Sequence, residues 1–282
     1  MEDYRKPKPD WLRTRLRQSG EFHRTGSLLR SHSLHTICES GKCPNIRECW
    51  ASGTATFMIL GDICTRSCRF CNTKTGKPLL PDPDEPNRVA LAAASLSLQY
   101  VVITSVDRDD LPDFGASHWV TSLQALKTAL PHARIEALIP DFQGNENLIR
   151  QLTDTQPFII GHNLETVHRL TPSVRSRASY ALSLKVIRQI AEEGISAKSG
   201  FMTGLGETRE EIEETLFDLR KAGCERVTIG QYLRPTPQHL PVAEYVHPDV
   251  FDELHDLAIR MGFLTAECGP LVRSSYHAAN QA

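Results

Sequence analysis

The sequence predicts an α/β fold, and three observations point that way. Short apolar runs recur at residues 56–60, 100–103, 135–139, 158–160, 196–202 and 227–229. Between them lie stripes at helical spacing that stop before a glycine: Leu184, Ile187, Ile190 and Ala191 before Gly194, then Ile212, Leu216 and Leu219 before Gly223. Strands alternating with helices in this way form βα units around a parallel sheet. Third, 282 residues are enough for one large domain or two small ones, and one large domain with extensions suffices.

The chain begins basic. Residues 1–35 hold eight Lys or Arg against four Asp or Glu, with Pro7 and Pro9 and without the apolar core of a secretion signal. Such an arm reads as a solvated tail or as a landing surface for an acidic partner. Residues 38–71 then gather six of the eight cysteines, as Cys38-x4-Cys43-x5-Cys49 and Cys64-x3-Cys68-x2-Cys71. Structural zinc sites want four ligands in two close pairs, and each group here is one thiolate short. Cubane iron-sulfur clusters held by three cysteines keep one iron open to another ligand. From the residues alone, a zinc knuckle or a set of buried free thiols stays open beside that reading. Cys224 and Cys268 fall outside both groups and read as buried small hydrophobes.

The strand at 56–60 leads into the second thiol group, which places it on a loop at the strand's carboxyl end. The strand at 100–103 leads into an acidic loop with Asp107, Arg108, Asp109, Asp110 and Asp113, too irregular in spacing for a divalent-metal site. After the strand at 158–160, His162-Asn163-Leu164-Glu165-Thr166 puts an amide and a carboxylate within reach of hydroxyl and ammonium donors. A helix cap is the plainer reading. The strand at 196–202 includes Lys198 and runs into Gly204-Leu205-Gly206-Glu207, a weak dinucleotide signal that a turn feeding a helix explains. Thr208 and Glu211 form a capping box for that helix. Residues 231–241 carry three prolines and read as a stiff extended segment. Val250, Leu254, Leu257, Ala258 and Met261 form a last apolar stripe, closed by Gly262. Six βα units are too few for the usual eight-stranded closed barrel.

Composition excludes some classes. A hydrophobic fraction of 40%, a charged fraction of 23% and a net charge of −2 give no reason to expect nucleic acid as a partner. No apolar run approaches the roughly 20 residues that span a bilayer, so no membrane partner is expected. A cytoplasmic, reducing location fits unpaired thiols.

The motif Cys64-x3-Cys68-x-Phe70-Cys71, with Phe70 at its aromatic position, resembles the signature of the radical S-adenosylmethionine superfamily. The resemblance implies a partial (β/α)6 TIM barrel and a 4Fe-4S cluster on Cys64, Cys68 and Cys71, whose open iron chelates S-adenosylmethionine. The first thiol group, from Cys38 to Trp50, together with Lys8-Pro9-Asp10-Trp11-Leu12 and Arg273-Ser274-Ser275-Tyr276, resembles the lipoyl synthase family. That implies an auxiliary 4Fe-4S cluster on Cys38, Cys43 and Cys49, completed by the oxygen of Ser275. It implies insertion of two sulfur atoms at C6 and C8 of a protein-bound octanoyl-lysine, the auxiliary cluster being the donor and two S-adenosylmethionines being used per lipoyl group. The implied partners are octanoylated lipoyl-carrier domains, in the E2 subunits of dehydrogenase complexes and the glycine cleavage H protein, and an electron donor such as ferredoxin or flavodoxin.

By the same resemblance Thr104, Ser105, Asn163, Glu165 and Lys198 contact the cofactor. His277, just after the serine motif, reads as a second-layer residue at the auxiliary cluster or as a surface histidine. Phe114 departs from the family, which has glycine there. The implied organisation is an extension over 1–53 with the auxiliary cysteines, the partial barrel over 54–245, and a C-terminal helix and extension over 246–282 with the serine ligand.

Overall fold

The computed structural model describes residues 8–13, 20–51, 55–276 and 278–281. The 53/54 boundary and His277 therefore lie outside the described residues. At the N-terminal side stand helix α1 (Gly20–Ser31), the two-residue strand β1 (His35–Thr36) and two short helices, α2 (Ile37–Ser40) and α3 (Ile46–Ala51). Then come β2 (Thr56–Ile59), a small pair β3 (Ile63–Cys64) and β4 (Lys74–Thr75), α4 (Glu85–Ser95), β5 (Tyr100–Ser105) and α5 (Ala116–Ala129). The middle of the chain gives β6 (Arg134–Leu138), α6 (Glu146–Thr153), β7 (Ile159–Gly161), the single turn α7 (Thr171–Val174), α8 (Tyr180–Glu192) and β8 (Ser196–Thr203). The last elements are α9 (Arg209–Lys221), β9 (Arg226–Gln231), α10 (Pro248–Arg260) and β10 (Thr265–Gly269).

One sheet runs in the order β1-β2-β5-β6-β7-β8-β9-β10. Every pairing from β2 to β10 is parallel, and β1 joins β2 antiparallel. All six expected strands are present, and β10 is a seventh parallel strand that the apolar runs did not reveal. Its residues, Thr265-Ala266-Glu267-Cys268-Gly269, bury only Ala266 fully, so no apolar run marks it. Cys268 is accordingly half-buried, whereas Cys224 is fully buried as expected. The sheet is an open, partial barrel whose edges are β1 and β10.

The local signals explain the elements. Strands buried on both faces need continuous apolar side chains, and β5 keeps four consecutive residues out of water. In α8, Ser179 accepts a hydrogen bond from the Leu182 N–H and the inner face is Ser183, Val186, Ile187 and Ile190. In α9, the Thr208–Glu211 capping box is formed in both directions. Trp119, Phe57, Ile103, Val186, Leu216 and Leu254 belong to one continuous core between the sheet and its helices. Full burial of each such side chain is worth about 1.5–3 kcal/mol. No helix among the described residues is long and apolar enough to cross a membrane.

Candidate active site

The Cys64–Cys71 loop leaves the sheet at the carboxyl end of β2, where parallel barrels carry their chemistry. The loop is built around Arg66, a residue the sequence reading passed over. Its guanidinium is buried and bonds the carboxylates of Asp109 at 2.7 Å and Asp141 at 2.7 Å, with Asp107 at 3.3 Å. The acidic loop therefore serves a cation of the protein. Burial alone would raise the Asp141 carboxyl, but the Arg66 hydrogen bonds and charge outweigh it and hold the group below its ordinary value. At Asp107 burial wins, and the carboxyl is pushed up despite Arg66. Asp110 pairs instead with the buried Arg108.

The three thiols of this loop lie within one another's electrostatic reach. Burial pushes Cys64 up to about 11 and Cys68 up to about 12, and raises Cys71 as well. Backbone N–H groups of Arg66 and Asp107 point at the Cys64 sulfur, at 3.4 and 3.3 Å. The carbonyl of Cys71 accepts a hydrogen bond from His239 Nε2 at 2.9 Å, which fixes that histidine's tautomer and ties in the proline-bearing segment after β9.

The first thiol group sits on α2, α3 and the turn between them. Cys38 feels the charge of Cys43, and Cys49 feels both. Burial is again the main cause of their raised values, to about 11 at Cys38 and about 12 at Cys49. The backbone N–H and hydroxyl of Thr56, together with the indole N–H of Trp50, lie against the Cys38 sulfur. No oxygen partner accepts that buried indole N–H.

Residues from the far end of the chain complete the cluster of thiols. Thr56 donates to Ser275 Oγ at 2.7 Å, Asn45 donates to the Leu271 carbonyl at 2.7 Å, and the Tyr276 hydroxyl donates to Glu48 at 3.2 Å. Ser275 is thus brought to the Cys38 group, one threonine away from the Cys38 sulfur. A second tie, from Asn72 Nδ2 to the Ser40 carbonyl at 2.8 Å, links the two thiol segments.

Two charged groups lie near the thiols, Glu165 by the second set and Arg273 by the first. Glu165 adds to the charge felt by Cys68 and Cys71, while Arg273 is felt by Cys43. Burial raises the Glu165 carboxyl against the opposing charges of Arg175 and Arg273. Its backbone is held at φ +67 by hydrogen bonds to Gly200 and from Met202, a strained conformation kept by its surroundings. Asn163 Nδ2 reaches Glu165 at 3.1 Å and Ser274 Oγ at 2.7 Å.

The other expected cofactor contacts are engaged inside the protein. Thr104 donates to the Leu138 carbonyl and Ser105 accepts from the Trp119 indole. Lys198 is 2% exposed and its ammonium is bonded to Glu136 and to the Ser274 carbonyl, both at 2.8 Å. Phe70 is half-buried beside its cysteines. Phe114, where the family has glycine, adopts φ +54, so the loop keeps a glycine-type backbone under a side chain that disfavours it. The Gly204–Gly206 turn is closed on itself: Glu207 accepts from the N–H groups of Gly204 and Leu205, which leaves neither for a phosphate.

This donor set fits iron-sulfur cubanes better than a single metal ion. Among the described residues, no three His, Cys, Asp or Glu side chains converge as ligands of one ion. A cubane spreads its thiolates over separate corners, and each group here offers three. Thiols with raised values stay protonated at neutral pH unless a bound cationic centre deprotonates them.

A partial parallel barrel with three thiols on the loop after its first parallel strand defines a radical S-adenosylmethionine enzyme. Residues 58–230 match the model of the Radical SAM superfamily. Solved structures agree on the fold: methylornithine synthase has a TM-score of 0.58 at 14% identity, over 86% of this chain and 70% of that one. Streptococcus suis SuiB, bound to its precursor peptide, has 0.60 at 12% identity, over 87% of this chain and 52% of that one. Among curated proteins, the lipoyl synthase of Parabacteroides distasonis is 56% identical over 271 residues, 96% of each chain. That of Treponema denticola is 55% identical over 271 residues, 96% of this chain and 93% of that protein. This chain belongs to the lipoyl synthase family.

Proposed function

We propose that this chain completes lipoyl groups on octanoylated carrier proteins, inserting sulfur at C6 and C8 of the octanoyl chain. The supporting observation is that Thr56 lies against the Cys38 sulfur and also bonds Ser275 Oγ from the other end of the chain, while Cys38 feels the charge of Cys43 and Cys49 feels both. When bound, one cubane on Cys64, Cys68 and Cys71 supplies the electron that splits S-adenosylmethionine, and a second on Cys38, Cys43, Cys49 and Ser275 supplies sulfur.

The residues around the centres do the rest. Arg66 and its three carboxylates brace the Cys64 loop, which limits the freedom of the thiols it carries. The N–H groups aimed at Cys64 favour its thiolate form. Asn163 and Glu165, whose charge reaches Cys68 and Cys71, suit the hydroxyls and ammonium of S-adenosylmethionine. A serine oxygen is a harder, weaker partner for iron than thiolate, which makes Ser275 the ligand most easily released. Octanoylated E2 and H-protein domains are the partners that this chemistry requires, and ferredoxin or flavodoxin would supply electrons.

Anaerobic reconstitution tests the reading. We expect about eight irons per chain, two cubanes, and doubly thiolated product when an octanoyl-lysine peptide is examined by mass spectrometry. A single cubane, or full thiolation by a Cys43→Ala variant, would overturn it.

A further inference from the structure

The strongest unexplained feature inside the barrel is a buried ion pair. Lys198 on β8 and Glu136 on β6 are 2% and 1% exposed, and their charged ends meet at 2.8 Å across β7. Tyr100 on β5 donates to the other Glu136 oxygen at 2.6 Å. Burying two charges is costly, and such a pair commonly adds little net stability over apolar side chains of similar size. A structural role in the sheet alone therefore explains it poorly.

The pair is spent on the chain's C-terminal tail. The Lys198 ammonium has a second partner, the backbone carbonyl of Ser274 at 2.8 Å. On the other side of that residue, Asn163 donates to the Ser274 hydroxyl at 2.7 Å. Ser274 is thus gripped at backbone and side chain, one residue before the serine that Thr56 bonds beside the Cys38 sulfur. A third observation is independent of these polar groups. A Cβ built on Gly230 of β9 would collide with the Val272 carbonyl oxygen, so the tail crosses that strand where only a glycine lets it pass.

We propose that Lys198, oriented by Glu136, is a positioning residue that latches the tail into the barrel and sets Ser275 against the Cys38 centre, with Gly230 as the notch through which the tail runs. This replaces the expectation that Lys198 binds a cofactor carboxylate: the carboxylate it binds is the protein's own. The inference rests on the reading of Ser275 as a ligand, and Ser275 is not itself part of the latch.

Amide hydrogen exchange of residues 271–276, measured before and after cluster reconstitution, tests it without relying on turnover. In Lys198→Met we expect these amides to exchange at least about tenfold faster than in the wild type, because a charge-assisted anchor is lost. Retained iron should fall from about eight toward about four per chain. Lys198→Arg, which keeps the charge and the donors, should recover most of the protection. If Lys198→Met fails to fold because Glu136 is left unpaired, Glu136→Leu combined with Lys198→Met removes both charges and should still free the tail. Gly230→Ala should free it from the opposite side by steric exclusion.

Wild-type exchange rates at 271–276 in the folded variants, with a raised KM for S-adenosylmethionine, would overturn the latch and return Lys198 to cofactor binding. A wild-type protein that holds only about four irons would instead overturn the reading of the centre, whatever the tail does.

Discussion

The two thiol centres are built in opposite ways. The Cys64–Cys71 centre is compact in sequence, sits on one loop and is braced by a buried arginine with three carboxylates. The Cys38–Cys49 centre rides on two short helices and needs a tail from the far end of the chain. The contrast teaches that the loop centre is rigid by local construction, whereas the helix centre depends on long-range docking. A centre that repeatedly binds and cleaves a cofactor gains from rigidity. A centre that gives up its sulfur gains from a ligand that can let go.

The largest test removes one thiol from each side. Cys68→Ala should abolish cleavage of S-adenosylmethionine, while Cys43→Ala should abolish sulfur insertion and leave cleavage in place; chromatography of 5'-deoxyadenosine separates the two. Loss of cleavage in both variants would mean that the centres are not independent.

Next comes the brace. Arg66→Met strands buried carboxylates and should cost about 3–5 kcal/mol in denaturant unfolding, far more than any change at the exposed Arg169–Glu211 pair. A cost below about 1 kcal/mol would show that the loop does not depend on Arg66.

The same brace predicts a pH signature. Asp141 is held below its ordinary value in the folded protein, so near pH 4 and below the unfolded chain binds more protons there. That contribution to stability is complete above about pH 4 and is lost as the pH falls through the folded value. Melting temperatures followed from pH 6 to pH 3 should drop more steeply for the wild type than for Arg66→Met. Parallel curves would remove Arg66 as the cause.

The smallest effect belongs to the tie between the centres. Asn72→Ala deletes the bond to the Ser40 carbonyl and should cost ~1 kcal/mol by equilibrium unfolding, with both centres still loading iron. A loss of several kcal/mol would mean that the two segments fold as one unit.

Much of this was legible because the signals were local. Thiol spacing marks the centres within 34 residues, strands buried on both faces announce themselves as apolar runs, and Thr208 with Glu211 writes a helix start into four letters. What stayed hidden depends on partners distant in sequence. An arginine between two cysteines looks solvated until Asp141, 75 residues on, is folded against it. Lys198 looks like a ligand for a substrate until Glu136, 62 residues back, neutralises it. Strand β10 was missed because an edge strand with one fully buried side chain has no periodicity to read. The Arg273-Ser274-Ser275-Tyr276 segment was found through resemblance alone, since four polar or aromatic residues in a tail carry no physical signature of their own.

The 219 residues between Thr56 and Ser275 also set an order of manufacture. A ribosome adding roughly 5–20 residues per second exposes all six clustered thiols some ten to forty seconds before it reaches Ser275. The six clustered thiols are therefore made well before the hydroxyl that Thr56 bonds.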